Sequence, residues 1–209
     1  MKLDWYFDFV SPFSYLQLER FDRLPAGTEV TLKPILFGAL LKHLNQRGPA
    51  EIPHKREFTY KHVQWQADQA GIPLRFPPAH PFNPVRALRL AIALGNDIGA
   101  VRAIFRFIWQ QGRLPDEPEN WQALTKALGV HDAEGRIAQQ SVKDRLRQNG
   151  EDAKAAGVFG VPTFAAGNDL FWGFDATPML IAYLNDAGVL NTDEMLRISQ
   201  LPAAVERKV

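Results

Sequence analysis

Residues 3–10 form a short, aromatic-rich apolar run that stops abruptly at Ser11-Pro12. Such a run reads as a buried strand. Proline removes a backbone donor, so it interrupts a strand, yet it suits the first turn of a helix. Ser11 then stands at the helix N-cap, where its hydroxyl can accept a backbone N–H. Residues 13–24 carry that helix, with Tyr15, Leu16, Leu18, Phe21 and Leu24 as apolar positions. Pro25-Ala26-Gly27 ends it, and residues 29–36 alternate as a second strand. A β-α-β opening of this kind calls for a parallel pair with a right-handed crossover, which commits the chain to an α/β sheet.

The middle of the chain is helical. Residues 37–71 read as mostly helix after a break at Gly48-Pro49. Residues 72–84 are too rich in proline for helix or central strand and read as an ordered loop. Residues 85–111 carry Leu88, Ile92, Ile104, Phe105, Ile108 and Trp109 at helical spacing, with a break near Gly95-Asn96. Residues 121–128 and 132–148 supply two more amphipathic helices. Residues 158–164 then read as a strand containing Pro162, followed by a Gly167-Asn168 turn and a returning strand over residues 169–172. Asp175-Ala176-Thr177-Pro178 repeats the cap-then-proline pattern and opens a last helix. The strands therefore sit at the two ends of the sequence. The simplest assembly is a single unit: residues 1–36 and 155–209 form an α/β thioredoxin-like domain, and residues from about 37 to 154 form a mainly helical insertion.

Composition narrows the chemistry. The 209 residues carry 24 basic and 23 acidic side chains, a net charge of +1, which argues against nucleic acid or an anionic membrane as the main partner. No apolar run approaches the ~20 residues of a membrane span, and no signal-like apolar stretch opens the sequence, so a cytoplasmic protein is expected. The chain has no cysteine. Disulfides and thiolate metal sites are excluded, and so is thiol–disulfide exchange without borrowed sulfur. The five histidines (His43, His54, His62, His80, His131) show no metal-ligand spacing, and no metal is expected. Trp65, Trp109 and Trp121 read as packing residues. Arg136, Lys143, Arg145 and Arg147 read as a solvated helix face.

Redox proteins of the thioredoxin fold carry Cys-x-x-Cys where the first strand meets its helix. Here that slot reads Ser11-Pro12-Phe13-Ser14. If sulfur chemistry occurs, the sulfur arrives on a ligand, with glutathione the candidate. At a helix start, Ser11 could donate its hydroxyl hydrogen to a glutathione thiolate and help lower the thiol pKa from about 8.5 toward neutrality. No base partner stands beside it, so it is not expected to be a covalent nucleophile. A plain capping role for Ser11 stays open. Val161-Pro162 offers strand-like backbone to a peptide ligand if the proline is cis, or is an ordinary strand start if trans. Asp175, after Trp172-Gly173-Phe174, either accepts a glutathione ammonium group or only caps a helix.

The stretches from Tyr6 to Tyr15, Phe159-Gly160-Val161-Pro162-Thr163 and Trp172-Gly173-Phe174-Asp175 resemble the 2-hydroxychromene-2-carboxylate isomerases. These are relatives of kappa-class glutathione transferases and of DsbA oxidoreductases. The resemblance covers essentially the whole chain and is most specific at the first motif. It implies a DsbA-type thioredoxin-like fold with a helical insertion, a homodimer, and glutathione as cofactor. It puts the catalytic serine at Ser11 and glutathione contacts at Val161, Pro162, Trp172, Gly173, Phe174 and Asp175. The implied reaction, a step in aromatic hydrocarbon catabolism, converts 2-hydroxychromene-2-carboxylate to trans-o-hydroxybenzylidenepyruvate. The thiolate adds reversibly to the unsaturated pyruvate, the former double bond rotates, and the thiolate leaves.

Departures fall on the substrate side. An expected Asn-Arg pair is replaced by Ala50-Glu51-Ile52-Pro53, the expected lysine corresponds to Lys42, and a loop tyrosine is replaced near His80. Lys42, Arg47, Lys55 and Arg86 are the cations available to a substrate carboxylate. Lys42, His80, Asn83 and Arg86 make up the substrate-side set, with a cap and a solvated arginine as the bland readings of the last two. Two further readings stay open: a kappa-like transferase, which would consume glutathione, and a non-catalytic thioredoxin-fold binding protein.

Overall fold

The computed structural model describes residues 1–205. Four strands, β1 (Lys2–Phe7), β2 (Glu29–Pro34), β3 (Thr163–Ala166) and β4 (Asp169–Trp172), build one sheet in the order β2-β1-β3-β4. β1 and β2 are parallel, with Trp5 opposite Leu32, while β3 runs antiparallel to both β1 and β4. The crossover from β1 to β2 is helix α1 (Pro12–Leu18). Between β2 and β3 come α2 (Phe37–His43), α3 (Pro53–Ala70), α4 (Val85–Ala93), α5 (Ile98–Trp109), α6 (Pro118–Ala127), α7 (Ala133–Ala138) and α8 (Gln140–Ala155). Helices α9 (Thr177–Asn185) and α10 (Asp193–Ser199) follow the sheet. The mixed sheet, accompanied by many helices between β2 and β3, has the thioredoxin-like α/β arrangement expected from the residue pattern.

Alternation along β1 sorts the two layers. Leu3, Trp5 and Phe7 point into one apolar cluster, which continues through Phe9 and Leu16 to Leu88, Phe105, Ile108 and Trp109 of the helices. Tyr6 points the other way, into a smaller cluster with Ile35, Leu40, Ala153 and Val158. The Trp5 and Phe7 rings stack at 4.4 Å, and Phe9 lies 4.5 Å from Phe105. Each ring so buried contributes roughly 1.5–3 kcal/mol through removal from water. The helices of the middle segment are thus welded to the strand that leads into Ser11.

Four boundaries differ from the sequence pattern. The first helix stops at Leu18, and a separate 3-10 turn covers Phe21–Arg23. Glu19 is drawn to Arg106 of α5, and Phe21 swings in against Trp5 at 4.9 Å. The helix expected over residues 132–148 is two helices, broken where Gln139 is extended at ψ 136. The third strand starts at Thr163 instead of Val158, because Pro162 has no N–H to join the ladder. The last helix takes Ala176 as its N-cap, with no capping side chain, so Asp175 does not cap it.

β2 forms one edge of the sheet. Two side-chain amides cover its outward carbonyls: Asn96 donates to Leu32 O at 3.2 Å and Asn149 donates to Pro34 O at 3.0 Å. No helix among the described residues is long and apolar enough to cross a membrane.

Candidate active site

Ser11 caps α1 in extended conformation, with φ −93° and ψ 114°. Its Oγ accepts from Ser14 N at 3.2 Å and donates its hydrogen to Val161 O at 3.4 Å. The second contact is long for an O–H donor, so it is the weaker one and the one a ligand can replace. Sequence positions 150 apart are thereby brought together. Val161-Pro162 is cis. Val161 N–H donates to no acceptor among the described residues. Pro162 O accepts from Gly173 N at 2.9 Å, which carries the contact chain from Ser11 onward to the Trp172-Gly173 segment.

Glycine is needed at two places here. A methyl built on Gly160 would fall 2.3 Å from Trp172 Nε1, so the indole rests on bare backbone. Gly173 has φ +94°, and a methyl there would also meet Asp175 Oδ1 at 2.5 Å. Trp172 is half-exposed and meets Phe159 edge-on at 5.2 Å. Phe174 is partly buried against the core. The first turn of α9 is served by Thr177 Oγ1, which donates to Phe174 O at 2.6 Å. Asp175 is exposed, and its carboxylate has no partner among the described residues.

The segment that delivers Ser11 is held from several directions. Asp8 is fully buried and accepts from Val10 N at 3.1 Å and Phe37 N at 2.8 Å. Its own carbonyl accepts from Ser11 N at 3.0 Å. Burial pushes the Asp8 carboxyl up to about 7, against the pull of its backbone donors toward the ionised form. Trp109 Nε1 donates to Phe9 O at 2.8 Å. His80 Nε2 lies 2.8 Å from Val10 O, while Tyr60 Oη lies 2.6 Å from His80 Nδ1. Burial, and the guanidinium of Arg56, hold the His80 ring below the usual histidine pKa.

The substrate-side residues scatter. His80 reaches the residue beside Ser11 and packs among Phe76, Phe82 and Trp109. Lys42 is exposed on α2 and has no ion pair among the described residues. Asn83 accepts from Val85 N at 3.1 Å, a local turn at the start of α4. Arg86 pairs with Glu134 and lies over the Trp121 ring at 4.1 Å, so the structure takes it to α7 and α6 and not to Ser11.

Sequence reasoning gave no role to Asp8, Gln17 or Tyr60 and treated Trp109 as packing. Gln17 is a polar residue between Leu16 and Leu18, and it is buried. That placement on an apolar helix face was a legible signal, as was an acid inside the aromatic run at Asp8.

A family model described as a DSBA-like thioredoxin domain matches residues 2–185. The chain is 28% identical over 187 residues to the 2-hydroxychromene-2-carboxylate isomerase of Pseudomonas putida, covering 86% of this chain and 92% of that one. It is 25% identical over 157 residues to glutathione S-transferase kappa 1 of Caenorhabditis elegans, covering 69% of each. A solved 2-hydroxychromene-2-carboxylate isomerase superposes with a TM-score of 0.78 at 26% identity, covering 93% of this chain and 99% of that chain.

Proposed function

We propose, from the premise that this chain belongs to the DSBA-like thioredoxin family, that it is a glutathione-dependent cis–trans isomerase. Its substrate is 2-hydroxychromene-2-carboxylate or a similar aromatic unsaturated pyruvate, and its product trans-o-hydroxybenzylidenepyruvate. The observation that carries this reading is the approach of the Ser11 hydroxyl to the Val161 backbone in a chain without cysteine. A cysteinyl ligand paired along Val161 would bring its sulfur to that hydroxyl. The Ser11 hydrogen then turns from Val161 O to the thiolate and stabilises it.

Trp172, Gly173, Phe174 and Asp175 take the rest of the tripeptide. The free Asp175 carboxylate accepts the α-ammonium, and Pro162 joins the Val161 backbone to the start of β3 at Thr163. The chromene hemiketal first opens, its ring C–O bond breaking to a phenol and its hydroxyl becoming the ketone of the cis unsaturated pyruvate. Thiolate addition to that form makes a C–S bond and moves the alkene electrons into an enolate. The former double bond then rotates as a single bond, and re-expulsion of the thiolate restores the alkene with no net proton or electron consumed. Lys42, exposed and without an ion pair among the described residues, is one cation available to the pyruvate carboxylate. The protein works on this reading as a cytoplasmic homodimer. The isomerase relatives, similar over most of their length, support the isomerase activity in this reading.

The test is product analysis with glutathione and the chromene acid. Isomer formed with all glutathione recovered supports the reading. Loss of glutathione into a stable adduct makes the protein a kappa-like transferase instead, as the similarity to a kappa transferase would suggest. No turnover and no glutathione binding make it a binding protein.

A further inference from the structure

Two ring N–H groups grip the backbone immediately before Ser11. Trp109 Nε1 holds the carbonyl of Phe9 and His80 Nε2 holds that of Val10, each at 2.8 Å. A carbonyl can only accept, so His80 carries its proton on Nε2. In the neutral ring Nδ1 is then a lone pair. Tyr60 Oη lies 2.6 Å from that nitrogen and 3.0 Å from the His80 carbonyl. Both are acceptors for the single Tyr60 hydroxyl hydrogen, and the shorter contact gives it to Nδ1, which supports the tautomer that can hold Val10. Burial keeps the Tyr60 phenol above its usual pKa, so it retains the proton it donates.

The held carbonyl matters because Val10 C=O and Ser11 N–H share one rigid peptide plane. His80 fixes one side of that plane, and Asp8 O, accepting from Ser11 N, fixes the other. The orientation of the plane sets where the Ser11 side chain departs. We propose that Tyr60, on α3, is a positioning residue for Ser11, acting through His80 and the Val10 carbonyl. This rests on the reading of Ser11 as the thiolate stabiliser. Without the Tyr60 hydroxyl, Nδ1 is left buried and unpaired beside Phe76 and Trp109, and the ring must shift to reach water or another donor.

Wild type, Tyr60→Phe, His80→Leu and His80→Gln are compared with glutathione as the probe. Ultraviolet absorbance of the bound thiolate is followed against pH, and turnover of an arylidene pyruvate is measured. In Tyr60→Phe the thiol pKa is expected to rise by about one pH unit. Its kcat is expected to fall about tenfold, with glutathione affinity close to wild type at pH below the bound thiol's pKa and melting temperature lowered by only a few degrees. His80→Leu should show the same loss, and His80→Gln, which keeps an N–H for Val10 O, should recover part of it. Nitrogen NMR of the His80 ring should report the Nε2–H tautomer in wild type and its loss or exchange in Tyr60→Phe. A thiol pKa and kcat unchanged in Tyr60→Phe overturn this inference alone. The absence of any bound thiolate in wild type overturns the reading of Ser11 and this inference with it.

Discussion

The buried side chain of Gln17 donates to the carbonyl of Gly173 at 2.9 Å, across 156 residues of sequence. The same amide nitrogen reaches Thr177 Oγ1 at 3.1 Å, and its oxygen accepts from Trp5 Nε1 at 2.7 Å. One side chain therefore ties the core tryptophan, the helix behind Ser11 and the Trp172-Gly173 turn. Gln17→Met leaves the buried Trp5 N–H and the part-buried Gly173 carbonyl without their partner, an expected loss of about 2–4 kcal/mol. Urea denaturation measures that loss. Calorimetric titration should show weaker glutathione binding even where the variant is fully folded, and unaltered affinity would separate the turn from the binding site.

Removing the Ser11 hydroxyl tests the chemistry directly. Ser11→Ala is expected to lower glutathione-dependent turnover by about 10²–10³-fold, the size seen when one donor to a developing anion is lost. Stability should fall by only about 1 kcal/mol, the cost of the lost cap. Turnover in Ser11→Ala equal to wild type would remove the serine from the mechanism.

Gly160→Ala probes the tryptophan seat. The added methyl meets Trp172 Nε1 at 2.3 Å, so the half-exposed indole must move off the backbone beside Val161. The expected result is loss of about tenfold or more in glutathione affinity, with little change in melting temperature because the indole has open solvent to move into. Fluorescence of the tryptophans on titration reads both.

The buried Asp8 carboxyl makes stability fall as pH rises. Its folded-state pKa, raised from 3.8 to about 7, means that the folded chain holds this proton more tightly than the unfolded chain does. Its contribution is complete below the unfolded value and is lost as pH climbs through about 7. Compared with Asp8→Asn, wild type should lose on the order of 2–4 kcal/mol between about pH 4 and pH 7.5. Denaturation at the two ends of that window checks the difference, and parallel curves for the two proteins would show that Asp8 does not titrate there.

The order of strands and helices was legible because it rests on local signals: aromatic runs, Ser-Pro and Thr-Pro starts, and a proline-rich loop. Pairing of Ser11 with Val161 could be anticipated only through resemblance, since nothing local links residues 150 apart. The helix boundaries at Leu18 and Gln139 follow tertiary demands, the pull of Arg106 on Glu19 among them, and these override the apolar period. The grip of Trp109 and His80 on the Phe9 and Val10 carbonyls was hidden for a different reason. Both rings also satisfy ordinary packing, and a sequence does not show which way an N–H points. Asp175 illustrates the reverse: its position suggested a cap, but the last helix begins from Ala176 with no capping side chain, and the carboxylate is left in solvent.

The two amides laid over β2 have a consequence for how copies of this chain can meet. A foreign strand seeking that edge would find the Leu32 and Pro34 carbonyls already occupied and, at Pro34, no hydrogen to offer in return. The sheet therefore cannot be templated or lengthened from that side without first prising away Asn96 and Asn149. This sequence guards its open flank against runaway stacking with two neutral side chains and an imino acid, without relying on a wall of charge.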